Sequence, residues 1–263
     1  MYFEVTQNDN SPIICNVPHA SIKVPGELED DYVFSYDELR RESLAMADLY
    51  TDELYEDLIR VSSCIRSTIS RIVVDIERFA NEKEEPMSKM GMSAFYTRTS
   101  EGDDLRKVSK ESRAVLQKMY DDYHEMFRGM VASSLVAHNR ALIVDCHSFP
   151  SVPRKYESDQ EANRPDICIG VDTYHTPQKL VDLLRTNFEK DGYSVKINSP
   201  FAGTIVPVAF YRSDQRVVSV MIEVNRALYM NEETYQKLKT FSRTSKRISR
   251  CVLESLNEFY YSS

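Results

Sequence analysis

The sequence predicts an α/β fold on a mixed, mostly parallel sheet, and two features predict it. Short apolar runs occur without polar alternation, and the run 141–144 leads directly into Asp145, Cys146 and His147. Such runs are typical of strands buried on both faces, as in a parallel sheet. Segments with helical spacing lie between these runs. Because open α/β sheets bind ligands beyond the carboxyl ends of their strands, Asp145 and His147 lie where chemistry is expected.

Composition and charge narrow the class of protein. The 263 residues carry a net charge of −8, which disfavours nucleic acid or an anionic membrane as the main partner. The chain contains neither an apolar stretch as long as a membrane span nor a recognisable signal peptide. Its five cysteines are scattered without a CxxC pair and indicate free thiols of a reducing compartment. We therefore expect one cytoplasmic domain over 1–263.

The N-terminal part supplies two candidate site residues. An apolar strand within 11–17 stops at Pro18, so that His19 lies just past its end. The segment 35–60 is predicted to be helical, with a capping box of Ser35 and Glu38. Asp48 interrupts its apolar face, which leaves two interpretations, a solvated carboxylate or one turned toward the site.

The next segments bring further charge to the predicted strand ends. The run 70–78 is predicted to be a strand that ends in Asp75, Glu77 and Arg78. A long loop follows over 79–104, and loops of this length in a compact domain tend to be functional. The segment 103–139 has helical spacing, and we interpret its His124 as a packed helix residue.

The C-terminal half contains further predicted strands and helices with candidate site residues. A polar loop over 148–165 carries Arg154 and precedes further strands and helices, predicted over 166–170, 175–190, 194–198, 217–226 and 231–259. Glu223 lies inside the apolar run 217–226, where an unpaired carboxylate is costly to bury. It should therefore meet a cation, bind a metal or transfer protons, or else pair with Arg226 or another arginine.

These strand-end residues are typical of a metal hydrolase. Two imidazoles and one carboxylate are the ligands of a catalytic zinc that keeps an open position for water, and a nearby glutamate is the usual general base. The sequence lacks HExxH, GxSxG, Walker A and GxGxxG motifs, which disfavours zincins, serine hydrolases and nucleotide-binding enzymes. A nucleophilic pair of Cys146 and His147 is disfavoured because adjacent strand residues point to opposite faces.

Six segments resemble, in order, those of the N-formylglutamate amidohydrolase family. They span about residues 11–232 and are Pro18-His19-Ala20-Ser21, Asp48 before Leu54-Tyr55, the run 70–78, Asp145-Cys146-His147-Ser148, Phe201-Ala202-Gly203-Thr204 and the run 222–230. The resemblance implies a three-layer α/β/α domain of the zinc-exopeptidase type. It also implies hydrolysis of N-formylglutamate to formate and glutamate, in histidine breakdown.

The resemblance also assigns roles to residues. It implies that Zn²⁺, or another divalent transition metal, is bound by His19, Asp48 and His147, and that Glu223 is the catalytic carboxylate. Arg78 would act beside it by orienting the substrate carboxylate and stabilising the oxyanion. The remaining substrate contacts implied in this way are Arg71, Arg154, Asn225 and Arg226.

One departure from the family pattern bears on the substrate. Glu77 stands where the family's Asp-x-Asn-Arg motif has asparagine, so an additional negative charge lies beside Arg78. Two alternatives to a deformylase therefore stay open. One is a zinc amidase or carboxypeptidase-like enzyme acting on another N-acyl amino acid or a peptidoglycan fragment. The other is a non-catalytic protein that binds an anion.

Overall fold

The computed structural model describes residues 2–261, which form two β-sheets and a set of flanking helices. The strands of the large sheet are β1 (Phe3–Thr6), β2 (Ile13–Val17), β3 (Ser63–Ser67), β4 (Ala141–Phe149), β5 (Ile167–Gly170), β6 (Val195–Ile197) and β7 (Val217–Asn225). A small hairpin consists of β8 (Met230–Asn231) and β9 (Gln236–Lys237). The helices are α1 (Tyr36–Met46), α2 (Thr51–Leu54), α3 (Glu56–Ile59), α4 (Lys110–His138), α5 (Gln178–Lys190) and α6 (Phe241–Tyr261).

The large sheet is mixed, as predicted, with the order β1-β3-β2-β4-β7-β5-β6. The neighbours β3, β2, β4 and β7 run parallel to one another, and β6 runs parallel to β5. The two antiparallel pairs are β1 with β3 and β5 with β7. The central strands β4 and β7 are buried along their whole length, which explains their unbroken apolar runs.

Side chains of β4 alternate between two cores, one on each face of the sheet. Leu142 and Val144 pack in a cluster with residues of α2, α3, α5 and α6. Ala141 and Ile143 pack in a second cluster with residues of α1, α4 and the loop after β3. The protein therefore has three α/β/α layers, and the predicted fold class is confirmed. No helix within residues 2–261 combines the length and the hydropathy that a membrane crossing requires.

Three predicted elements differ in the structure. The segment 35–60 has the predicted capping box but divides into α1, α2 and α3, and the first break contains Asp48. The C-terminal helix begins at Phe241, because the hairpin of β8 and β9 occupies the preceding residues. The run 70–78 is a loop, and the strand lies just before it in sequence, as β3. The short strand β1 was not predicted.

Buried polar side chains explain why an apolar run can be a loop here. A buried loop must have its backbone groups paired by other parts of the chain. Arg106, itself only 3% exposed, donates from Nη2 to the Val73 carbonyl and from Nε to the Tyr96 carbonyl, both at 2.7 Å. His124 Nε2 lies 2.8 Å from the Ile76 carbonyl, so the prediction of a packed helix residue agrees with its position.

We predict that Arg106→Met lowers the free energy of unfolding by about 2–4 kcal/mol, since two buried carbonyls lose their donors. Denaturant unfolding monitored by circular dichroism measures the change. Lys107→Met is the matched control, because Lys107 is exposed and should alter stability by less than about 0.5 kcal/mol. Equal effects of the two substitutions would contradict this account of the loop.

Candidate active site

The break between α1 and α2 brings Asp48 to the end of β2. The Asp48 N–H donates to the carbonyl of His19 at 2.9 Å, which joins the two segments. Tyr50 then adopts a left-handed backbone (φ 66°) just before α2 begins. His19 and Asp48 are 1% and 2% exposed, so of the two interpretations of Asp48 the buried one is correct.

His147 and Glu223 lie side by side near the carboxyl ends of the central strands. They are register partners on the parallel strands β4 and β7. Glu223 is 7% exposed, and its Oε2 atom is buried without a hydrogen-bond partner among residues 2–261. Burial raises the pKa of Glu223 to about 8. Arg226 donates to Asp48 Oδ1 at 2.8 Å, so its charge is already matched by a carboxylate other than Glu223.

Both imidazole rings direct their Nδ1 atom at the same oxygen of Asp48. Asp48 Oδ2 lies 3.0 Å from His147 Nδ1 and 3.7 Å from His19 Nδ1. His19 Nδ1 is buried and has no hydrogen-bond partner in the described part of the chain. The ring centroids are 5.2 Å apart. An unpaired buried nitrogen is costly, so His19 Nδ1 is suited to bind a ligand beside Asp48.

The opposite nitrogens are held by other carboxylates. His19 Nε2 lies 2.9 Å from Asp75 Oδ1. His147 Nε2 lies 3.0 Å from both Asp145 Oδ1 and Glu77 Oε2. Metal-binding histidines commonly donate their second N–H to a carboxylate in this way, which fixes the tautomer and the ring orientation.

Charge in this cluster shifts several pKa values. Burial alone would lower the pKa of His147, but the Glu77 and Asp145 carboxylates outweigh it and hold that pKa well above the usual range. Burial would raise the pKa of Asp75, yet Arg71 and His19 keep it well below its usual value. Burial and the neighbouring Asp145 raise the pKa of Glu77. The carboxylates of this cluster therefore stabilise positive charge on the groups beside them.

A second carboxylate also competes for the role of metal ligand. His19, Glu77 and His147 each offer one ligand atom, and these atoms lie within 4.8 Å of one another. Glu77 was not among the predicted ligands. Two imidazole nitrogens and one carboxylate are a donor set that suits zinc, whichever carboxylate takes part.

The predicted substrate-binding arginines differ in how far their charge is already satisfied. Arg71 donates to Asp75 Oδ2 through both Nε and Nη2. The Arg78 guanidinium has longer contacts, at 3.7 Å to Asp75 and to Glu85, and its Nε lacks a hydrogen-bond partner among the residues that the structure describes. Its side chain is 28% exposed and lines the cavity. Among the three arginines of the cavity wall, Arg78 is thus the best placed to bind a substrate carboxylate.

Two other predicted substrate contacts lie away from the residues that line the cavity. Asn225 donates to the Pro165 carbonyl and accepts from Ala227 N–H, so its side chain supports the end of β7. Arg154 is partly exposed in the loop after β4. Both side chains therefore lie in the structure around the cavity and not in its wall.

The cavity itself has a volume of about 460 Å³ and opens above the ends of β4 and β7. Its wall includes Asp48, His147 and Glu223 together with Arg71, Arg78 and Arg226. The remainder of the wall is largely apolar and includes the segment 201–206. A cavity that combines a buried carboxyl, an imidazole and arginines is suited to the hydrolysis of an amide.

Sequence reasoning missed a polar chain behind His147. Asn16 Nδ2 donates to Asp145 Oδ1 at 2.8 Å and to Glu77 Oε1 at 2.9 Å. The hydroxyl of Tyr123 on α4 donates to Asn16 Oδ1 at 2.6 Å. The signal was present, since Asn16 is the polar residue of an otherwise apolar strand, buried without an evident partner in the sequence.

Comparisons with known proteins identify the family of this chain. The model of the family described as N-formylglutamate amidohydrolase matches residues 11–230. The N-formylglutamate deformylase of Pseudomonas aeruginosa is 23% identical over 256 residues, which cover 93% of this chain and 92% of that protein.

Solved structures show the same fold. The N-formylglutamate amidohydrolase from Ralstonia eutropha JMP134 superimposes with a TM-score of 0.82 at 21% identity, covering 99% of this chain and 98% of that one. A gene product from Agrobacterium tumefaciens superimposes with a TM-score of 0.72 at 19% identity, covering 98% and 96%. With a family match over most of its length, the chain belongs to the N-formylglutamate amidohydrolase family.

Proposed function

We propose that the protein is a metal-dependent amidohydrolase that cleaves the N-acyl amide of an amino acid, with N-formyl-L-glutamate as its first candidate substrate. Family membership and the similarity to a deformylase support the reaction class. One observation carries the mechanism. Two buried imidazoles direct Nδ1 at Asp48 beside the buried, unpartnered carboxyl of Glu223. The family resemblance alone supports a role in histidine breakdown.

The metal-binding residues in this proposal are His19, Asp48 and His147. The unpartnered Nδ1 of His19 supports Asp48 as the carboxylate ligand, because that atom faces Asp48. Glu77 lies instead at the Nε2 side of His147, where it and Asp145 hold the ring. A zinc ion bound by these residues would supply Lewis acidity and lower the pKa of a water molecule.

Glu223 is proposed to move the proton. Its carboxylate takes a proton from the attacking water and delivers it to the amide nitrogen as the C–N bond breaks. The products are a carboxylic acid and a free amino group. Burial raises the pKa of Glu223 above that of a free carboxyl, and a positioned carboxyl tuned in this direction can accept a proton and later release it.

Arg78 is proposed to orient the substrate through its carboxylate. We predict that Arg78→Lys lowers kcat/KM for N-formylglutamate by about 10-fold to 100-fold, since a charge-assisted hydrogen bond is worth about 1.5–3 kcal/mol. Steady-state assays of formate release measure the effect. Arg98→Lys, at an exposed position, is the matched control. Unchanged kinetics for Arg78→Lys would remove Arg78 from substrate binding.

The reaction is tested by incubating the protein, dialysed against zinc, with N-formyl-L-glutamate and measuring formate and glutamate. We expect equal amounts of both products, with turnover abolished by a chelator and restored by zinc. Binding of the compound without turnover would instead indicate a non-catalytic anion-binding protein.

A further inference from the structure

The cavity has two chemically unlike sides. The loop after β3 contributes Arg71, Glu77 and Arg78 to one side. The other side is mostly apolar, with Phe149, Met221 and the segment 201–206 after β6, and the carboxylate of Glu157 is paired there with Arg164. The two sides therefore offer charge to one end of a ligand and apolar surface to the other.

The sheet order fixes where the reacting bond lies between them. Strand β3 lies on the β2 side of the central pair β4 and β7, whereas β5 and β6 lie on the other side. His147 and Glu223 belong to the central pair. A substrate whose carboxylate binds Arg78 and whose amide lies at Glu223 therefore directs its acyl group toward the apolar side.

Two aromatic rings and a buried ion pair support the apolar side of the cavity. The rings of Phe149 and Phe201 lie 6.0 Å apart, and the Arg164 guanidinium lies 5.8 Å from each ring centroid. Arg164 is 1% exposed and forms an ion pair with Glu157, which is 4% exposed. These contacts connect the two aromatic rings of this side to a buried ion pair.

The segment that follows Phe201 is also fixed against the sheet. A Cβ atom at Gly170 would lie 2.3 Å from the Gly203 carbonyl oxygen, so only glycine permits this approach of the segment to β5. Thr204 Oγ1 lies 2.7 Å from Ser219 Oγ on β7. Ile205 N–H donates to Asp145 Oδ2 at 3.3 Å.

The size of the cavity exceeds what a formyl group needs. N-formylglutamate has about a dozen non-hydrogen atoms, fewer than the drug-sized ligands found in cavities of about 300–1,000 Å³. The cavity measures about 460 Å³. A formyl group is a single carbon with its oxygen, so it would leave the apolar side unfilled.

We propose, building on the proposed function, that this apolar side is an acyl-binding subsite and that N-acyl amino acids with larger apolar acyl groups are better substrates than N-formyl compounds. Water adds to the acyl carbon, the C–N bond breaks, and the proton removed from water passes to nitrogen. A butanoyl or hexanoyl substrate thus yields the fatty acid and the amino acid.

The test is a series of N-formyl, N-acetyl, N-butanoyl and N-hexanoyl-L-glutamate, assayed for glutamate release by the zinc-loaded protein. Burial of one methylene group is worth about 0.8 kcal/mol, or about fourfold in affinity. We expect kcat/KM to rise at least about 10-fold from the formyl to the hexanoyl compound.

A substitution in the cavity wall tests where the acyl group binds. Ala202 lines the cavity at an exposed position, so Ala202→Phe fills space without disturbing a packed core. It should lower the ratio of kcat/KM for hexanoyl over formyl substrate at least about 10-fold. Ala114→Phe, exposed on α4, is the control and should leave the ratio unchanged.

Three outcomes overturn the inference. A highest kcat/KM for the formyl compound overturns the subsite and leaves the proposed function intact. A gain for N-formylleucine over N-formylglutamate, without a gain along the acyl series, assigns the apolar side to the amino-acid side chain and also overturns it. Turnover of none of these compounds, the formyl one included, overturns the proposed function and this inference together.

Discussion

Replacing Glu223 by glutamine is expected to lower kcat by about 10²–10⁴-fold, the usual contribution of a positioned general base. The amide keeps the size of the side chain but cannot accept a proton from water. Because the Glu223 carboxyl has an unpartnered oxygen, the substitution breaks no bond to that atom. The assay is steady-state turnover of N-formyl-L-glutamate, or of the best compound in the acyl series.

The metal content and thermal unfolding of Glu223→Gln separate catalysis from structure. Both should match those of the wild type, since Glu223 is not among the proposed ligands. Glu125→Gln, on the exposed surface of α4, provides the matched control and should retain full turnover. Full activity in Glu223→Gln, or loss of metal from it, would refute the assigned role.

Asp48→Asn is expected to weaken zinc binding by more than about 100-fold, because a neutral amide replaces the only anionic ligand proposed. Glu77→Gln is the natural comparison, since Glu77 also lies within ligand distance of His19 and His147. For Glu77→Gln we expect a loss of about 10-fold or less, because Asp145 still holds His147. Competition with a zinc-binding dye measures both affinities.

Circular dichroism of the metal-free variants provides the structural control for that comparison. Arg226 loses an ion-pair partner in Asp48→Asn, so stability should fall somewhat while the native spectrum persists. A larger loss of zinc affinity in Glu77→Gln than in Asp48→Asn would reverse the assignment and make Glu77 the ligand.

The sequence predicted the centre of the fold because the physics there is local. The runs that became β4 and β7 are buried on both faces, so each reads as continuous apolar sequence and ends in polar residues. In the structure these strands pair in parallel with His147 opposite Glu223, a register that the sequence did not specify.

The failures arose where tertiary partners decide the structure. The run 70–78 has the composition of a buried strand, but Arg106 and His124, distant in sequence, satisfy its backbone as a loop. Likewise, no local pattern indicates that the predicted helix over 35–60 breaks so that Asp48 faces the two imidazoles.

The contacts around the proposed metal ligands could not be predicted from a single sequence either. Asp75 was expected at a strand end, and its position behind His19 depends on the course of the loop after β3. The link from Tyr123 to Asn16 joins residues 107 positions apart. Such contacts leave no spacing that a pattern could detect.

The central claim is that a metal is held between the two histidines, and elemental analysis tests it most directly. Wild type and His147→Ala are purified, dialysed against zinc and then against metal-free buffer, and analysed side by side. We predict about one zinc per wild-type chain and a large loss from the variant. Absence of zinc from the wild type, or equal zinc in both proteins, would contradict the claim.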